Sequence, residues 1–306
     1  MININQNKKK VLYYLTSFSI LLTIFTSGIY SLDTNLTNLD SKLKTSKYLD
    51  LTGNLIYICD SDPNRNWSST AVNYSWCVGS GTWNNPYIIE NIMIDGQNSV
   101  DCIRIVNSSV FFIIRNCRVY NSISTSLTLY NVNNSKIYSN DCLNNGYAGI
   151  LLENCQNNTI FSNVLQDNNW HGIKIDQSQG NNIFKNKIKN NEYGVWIVFS
   201  DNNKVSKNNI QYNGEGIFLV SSNYNIISGN ILLSNFMCMS QSYCIGNIIR
   251  FNICLGKLEF LGMIVLIMDI VAVIIILYIF AKSYIMKRKF LKELKKKVKD
   301  SKLLKV

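Results

Sequence analysis

The chain has 306 residues, 47% hydrophobic, with only two prolines, which excludes a disordered or collagen-like chain. Its net charge of +11 is held at the ends: residues 282–306 carry 11 Lys/Arg against Glu293 and Asp300, and Lys8, Lys9 and Lys10 supply three more. The body between them carries 16 basic and 17 acidic groups, so no phosphate-binding face and no nucleic-acid partner is expected.

In chain order, residues 1–30 read as a signal peptide or an uncleaved signal anchor, with three lysines followed by the apolar run 11–30. Residues 31–78 read as an N-terminal cap region containing Trp67 and Trp76. It also holds Cys59 and Cys77, which in an oxidising exterior are candidates for a disulfide pinning the cap.

Residues 79–257 repeat with a period of 22–23. The template I-x-x-N-x-I-x-x-N is met at Ile183, Asn186, Ile188 and Asn191, and recurs at Ile160/Asn163 and Val205/Asn208. A ladder of asparagines follows: Asn140, Asn163, Asn186, Asn208, Asn230 and Asn252. A second pattern, G-I-x-I, runs in phase from Gly149, Gly172, Gly194 and Gly216. Leucine-rich repeats share this period, but the apolar position they require falls on Asn157, Gly180 and Asn202. Short period-2 apolar pairs separated by turns instead predict an all-β fold, a parallel β-helix of about seven to eight coils. In such a stack the asparagines bond along the axis and shape the corners, a structural role.

Residues 258–281 form one C-terminal transmembrane helix by length and hydropathy, and 282–306 form a basic cytoplasmic tail. The solenoid then lies outside the cell or in the periplasm, on a single-pass membrane protein. Asp269 within the span points to self-association through the helix. The tail has the spacing of an amphipathic helix able to contact membrane lipid.

The coil "GIKIDQSQGNNIFKNKIKNNEYG" and the opening "GSGTWNNPYIIENIMIDG" resemble the right-handed parallel β-helix repeats of NosD-like and pectate-lyase-like proteins, including archaeal membrane-anchored surface proteins. That resemblance implies a right-handed solenoid. It implies function only weakly, because this fold carries many activities. NosD-like proteins imply copper, for which Met237, Cys238, Met239 and Cys244 are the candidate ligands. Polysaccharide-active members imply carboxylates and a histidine. Here Glu153 and Asp176, one coil apart, and His171 are the catalytic candidates, and a carboxylate pair would also suit Ca²⁺.

Against each candidate stands a plain alternative. The cysteines at repeat positions serve as small buried hydrophobes, and the acids as solvated surface. Outward aromatics form two further series, Tyr138/Phe161/Phe184 and Trp196/Phe218. They offer flat faces to a glycan or surface-protein ligand, or simply pair across strands. The leading expectation is non-catalytic binding without a cofactor; a polysaccharide lyase or hydrolase and a copper-binding protein are the alternatives.

Overall fold

A computed structural model describes residues 48–97 and 100–303. The expected signal segment lies outside the described residues. The described residues from 49 to 255 form the expected parallel β-helix. Three sheets run its length: sheet 1 from Leu49–Asp50 to Ile253–Leu255, sheet 2 from Cys77–Val78 to Ile248–Arg250, and sheet 3 from Ile56–Cys59 to Met237–Ser242. Neighbouring strands in each sheet come from successive coils and pair in parallel. The exception is Cys77–Val78, antiparallel to Tyr87–Glu90.

The repeat register is the strand register. Ile137, Ile160, Ile183, Val205 and Ile227 are directly opposed along sheet 2, and Cys142, Leu165, Ile188, Ile210 and Leu232 along sheet 1. All ten are fully buried. Because side chains alternate across a strand, a one-residue slip would turn each column outward, so the apolar pattern fixes the register.

The asparagine ladder bonds along the axis as expected. Asn163 is typical: its backbone N–H and its Nδ2 both donate to Asn186 Oδ1 at 3.0 Å, and Nδ2 also donates to the Ile137 carbonyl at 3.0 Å. The corner role needs correction. Ladder asparagines do not take the left-handed conformation; the residue before each does, at Ser139, Ser162, Lys185, Lys207 and Phe251 (φ 56–57°) and at Gly229 (φ 64°). Two parallel ladders occupy the other corners: Asn145–Asn168–Asn191–Asn213–Asn235 and Asn158–Asn181–Asn203–Asn225–Asn247. Ladder asparagines are used for their side chains, while other asparagines, Asn144, Asn157, Asn190 and Asn202 among them, take the left-handed position just before a ladder residue.

Glycines 149, 172, 194 and 216 are required by closeness. A Cβ on Gly194 would lie 2.5 Å from the Gly216 carbonyl oxygen, and one on Gly216 2.4 Å from that of Cys238.

Residues 31–47 of the expected cap region lie outside the described residues, and the remainder divides in two. Leu49–Asp50 and Ile56–Cys59 already join sheets 1 and 3 as a first partial coil. The segment after them carries helix α1 (Trp67–Asn73), N-capped by Asn66, whose Oδ1 accepts from the Ser69 amide. Trp67 is buried, stacks on Tyr87, packs against Phe112, and donates from Nε1 to Ser108 Oγ.

The expected Cys59–Cys77 disulfide is absent. Cys59 ends a sheet 3 strand and faces Ser61, while Cys77 opposes Ile89 in sheet 2, and both are buried thiols. The disulfide lies at the opposite end, between Cys238 and Cys254, whose Cα atoms are 5.9 Å apart. No coil stacks beyond Cys238 among the described residues, so its Cβ is tolerated at the position glycine holds in the four preceding coils.

Helix α2 (Lys257–Leu303) follows the last strand directly. Within it, Ile270–Lys292 is long and apolar enough to cross a membrane. Asp269 lies in this helix, but its side chain is outside the described ones.

Candidate functional site

The outer face of sheet 3 gathers most of the chemistry. Its G-I-x-I pattern explains how. The strand pairing passes from Ala148↔His171 to Ile150↔Ile173, skipping the glycines, so the residue before each Gly faces outward beside the residue two after it. Three outward columns result. One runs Ala148, His171, Tyr193, Glu215; the next Leu151, Lys174, Trp196, Phe218; the third Glu153, Asp176, Val198, Val220.

His171 sits at the centre, fully buried by rings. Tyr147 meets it edge-on at 5.0 Å, Trp196 lies at 4.7 Å and Tyr193 at 5.5 Å. Neither imidazole nitrogen has a hydrogen-bond partner. Burial, aided by the Lys174 charge, pushes its pKa down to about 3, so the ring is neutral at physiological pH.

Lys174 holds the positive charge of the site. Its Nζ pairs with Asp176 Oδ2 at 2.9 Å and lies over the rings of Trp196 (5.1 Å) and Tyr147 (5.7 Å). Burial opposes its charge, but hydrogen bonds to Tyr147 and Asp176 outweigh that and raise the pKa. Burial also raises the pKa of Glu215, against hydrogen bonds from Ser240.

Buried polar atoms without partners concentrate here: both His171 nitrogens, Trp196 Nε1 and Glu215 Oε1 on this face, with Thr125 Oγ1 and Thr128 Oγ1 on one earlier strand of the same sheet. Most buried polar groups are paired, so these atoms make this face the candidate site.

The sequence-predicted residues divide accordingly. Glu153 and Asp176 are neighbours across the rungs, as expected, but Asp176 is engaged by Lys174, so the two are not a free carboxylate pair. Trp196 and Phe218 stack at 6.2 Å, extended by Tyr193 at 5.3 Å from Trp196. Tyr138, Phe161 and Phe184 stack at 4.7 and 5.0 Å on sheet 2, a different face. That ladder is tied at one end by Arg115, which donates to Tyr138 Oη (2.9 Å) and Glu90 Oε2 (2.7 Å).

The proposed metal ligands do not converge. Cys238 is in the disulfide; Met237 continues the Glu215 column, while Met239 continues the inward Ile217 column. Sequence reading missed Tyr147, Lys174, Tyr193 and Glu215. The residue before each G-I-x-I glycine is Ala148, His171, Tyr193 or Glu215, and that column was the available signal.

The family model described as "Periplasmic copper-binding protein (NosD)" matches residues 51–243, well over half of the chain, and the chain belongs to that family. Among curated proteins none matches. Solved structures similar to it include the periplasmic alginate epimerase AlgG, at 21% identity and TM-score 0.46, covering 53% of this chain and 46% of that one. Another is the Azotobacter vinelandii mannuronan C-5 epimerase AlgE4 A-module, at 14% identity and TM-score 0.43, covering 55% of this chain and 62% of that one. The chain thus spans less than half the length of the AlgG chain, and at these identities the likeness concerns the fold alone.

Proposed function

We propose that this protein is a membrane-anchored solenoid, held outside the cytoplasm by α2, that binds carbohydrate on the outer face of sheet 3 without chemical turnover. The observation that carries this reading is the aromatic cluster on that face: Tyr193 and Trp196, neighbours on one strand, both stack on Phe218 of the next coil, beside Lys174. Half-buried rings side by side offer apolar faces to sugar rings.

Binding is favoured over catalysis because the one histidine is enclosed by rings and Asp176 is paired with Lys174. The test is a glycan array with the full chain in nanodiscs. Trp196→Ala is expected to abolish the signal, while Phe184→Ala on sheet 2 leaves it unchanged. A silent array for the parent protein rejects the sugar reading. Cleavage of a uronate polymer that is lost in Asp176→Asn would establish the enzymatic one.

The copper described for the family does not fit the residues here. Among the described residues no three His, Cys, Asp or Glu side chains cluster as ligands. The soft donors are split between a disulfide, the outer face and the core, and His171 is walled by rings. Retention of Cu(I) through dialysis would contradict this.

A further inference from the structure

The two ends of the solenoid differ. At the N-terminal end Ile56, Ile58, Ile89 and Ile92 are buried, with Trp67, Ala71 and Trp76 packed in the same cluster. At the other end the inward column is open: Ile249 is 44% exposed, where Ile227 one coil earlier is fully buried. Solenoids need such an end covered.

The corners of this last coil also gather more large apolar side chains than earlier coils, which expose one or two each, as at Trp170, Phe199, Tyr212 and Tyr224. Phe236 stands where earlier coils have Trp170, Glu192 and Gly214. Tyr243 follows Gln177, Phe199 and Ser221 at its place; Ile245 follows Gln179, Asp201 and Asn223; Phe251 follows Lys185, Lys207 and Gly229. All four are 70–87% exposed. Large apolar side chains therefore ring all three corners of one coil, the one whose bore is open.

We infer that this ring and the open bore seat the last coil in the lipid headgroup layer, so that the bilayer surface is the solenoid's C-terminal cap. Connectivity selects the lipid. The last strand ends at Leu255, α2 starts at Lys257, and the apolar run begins at Phe260. At about 1.5 Å per helical residue the coil stands within roughly 10 Å of the hydrocarbon, comparable to the headgroup layer itself. Aromatic residues favour that interfacial depth. A second copy is a poor occupant: copies inserted in one bilayer share an orientation, so their membrane-facing ends cannot meet.

The inference rests on the anchoring proposed above, and the experiment separates the two. The full chain, with Cys244→Ala as background, carries a nitroxide at Phe236→Cys, Phe251→Cys, Lys185→Cys or Ile274→Cys and is reconstituted in nanodiscs. Collision with oxygen should exceed collision with an aqueous nickel chelate at 236, 251 and 274, and the ratio should reverse at 185. If 274 reports lipid but 236 and 251 match 185, the lipid cap is wrong while the anchor stands. If 274 is also aqueous, both fail. Protection of 236 and 251 from both reagents, with spin–spin broadening, assigns the end to a second copy and overturns the inference.

Discussion

At the scale of single residues, the asparagines carry the fold in their side chains. Asn186 Nδ2 donates to Asn208 Oδ1 and to the Ile160 carbonyl, both at 3.0 Å, and its Oδ1 accepts from Asn163. Replacing it with Ala leaves several of these buried groups unpaired at about 1–3 kcal/mol each. Asn186→Ala is therefore expected to destabilise by roughly 3 kcal/mol in a denaturant melt. Asn186→Asp should cost at least as much, because a carboxylate oxygen would face Asn208 Oδ1 and a carbonyl. His171 makes a prediction of opposite pH character to a histidine held in a salt bridge. Its pKa falls from 6.5 to about 3 on folding, so the unfolded chain binds the extra proton. Its contribution to stability is intact above pH 6.5 and is lost as pH falls toward 3, at up to about 1.4 kcal/mol per pH unit. His171→Phe keeps a ring in the aromatic enclosure and removes the titration. The variant should match the parent near neutral pH and exceed it increasingly below the ordinary histidine pKa, measured by thermal unfolding across pH.

At the scale of elements, the last coil is held by its disulfide and its neighbour on one side only. The Cys238–Cys254 bond closes a separation of 16 residues, for which chain entropy gives about 3 kcal/mol. Reduction should therefore loosen residues 237–255 selectively, read by limited proteolysis, while the coils before them stay resistant. Thiol labelling of the native chain gives a matching result. Burial pushes Cys77, Cys102, Cys117 and Cys155 up to about 12, so they should stay unmodified until unfolding, whereas the half-buried Cys244 reacts. The difference in legibility follows from these positions. The coils were readable in the sequence because a 22–23-residue period repeats the same packing decision many times, and one coil teaches the next. The disulfide was not, because Cys238 shares its place with Gly216 and Cys254 with Leu232, and both look like core substitutions. Only the absence of a further coil gives them another use. The His171 enclosure was half readable: Trp196 and Phe218 follow the repeat, but Tyr147 and Tyr193 come to His171 through the skipped glycine, which shifts which side chains face outward.

At the scale of the whole molecule, each coil touches only the coils beside it, so stability is a chain of nearest-neighbour terms. Position along the axis then decides what a substitution does, even when the local loss is the same. Ile188 is fully buried in a central coil, opposed to Leu165 and Ile210. Ile188→Ala removes about 2–5 kcal/mol from two interfaces at once. The coils on either side keep their own contacts, so the variant should melt as two segments. Cys254→Ala alters the terminal rung, which has one neighbour, and only the final coil should fray. Segment-resolved hydrogen exchange of the full chain separates these cases. The central variant should raise exchange in the coils around residue 188 and uncouple those before it from those after it. The terminal variant should raise it within 237–255 alone. Moving from detergent to a bilayer should restore protection to the terminal variant and leave the central one unchanged, because lipid reaches only the end of the stack.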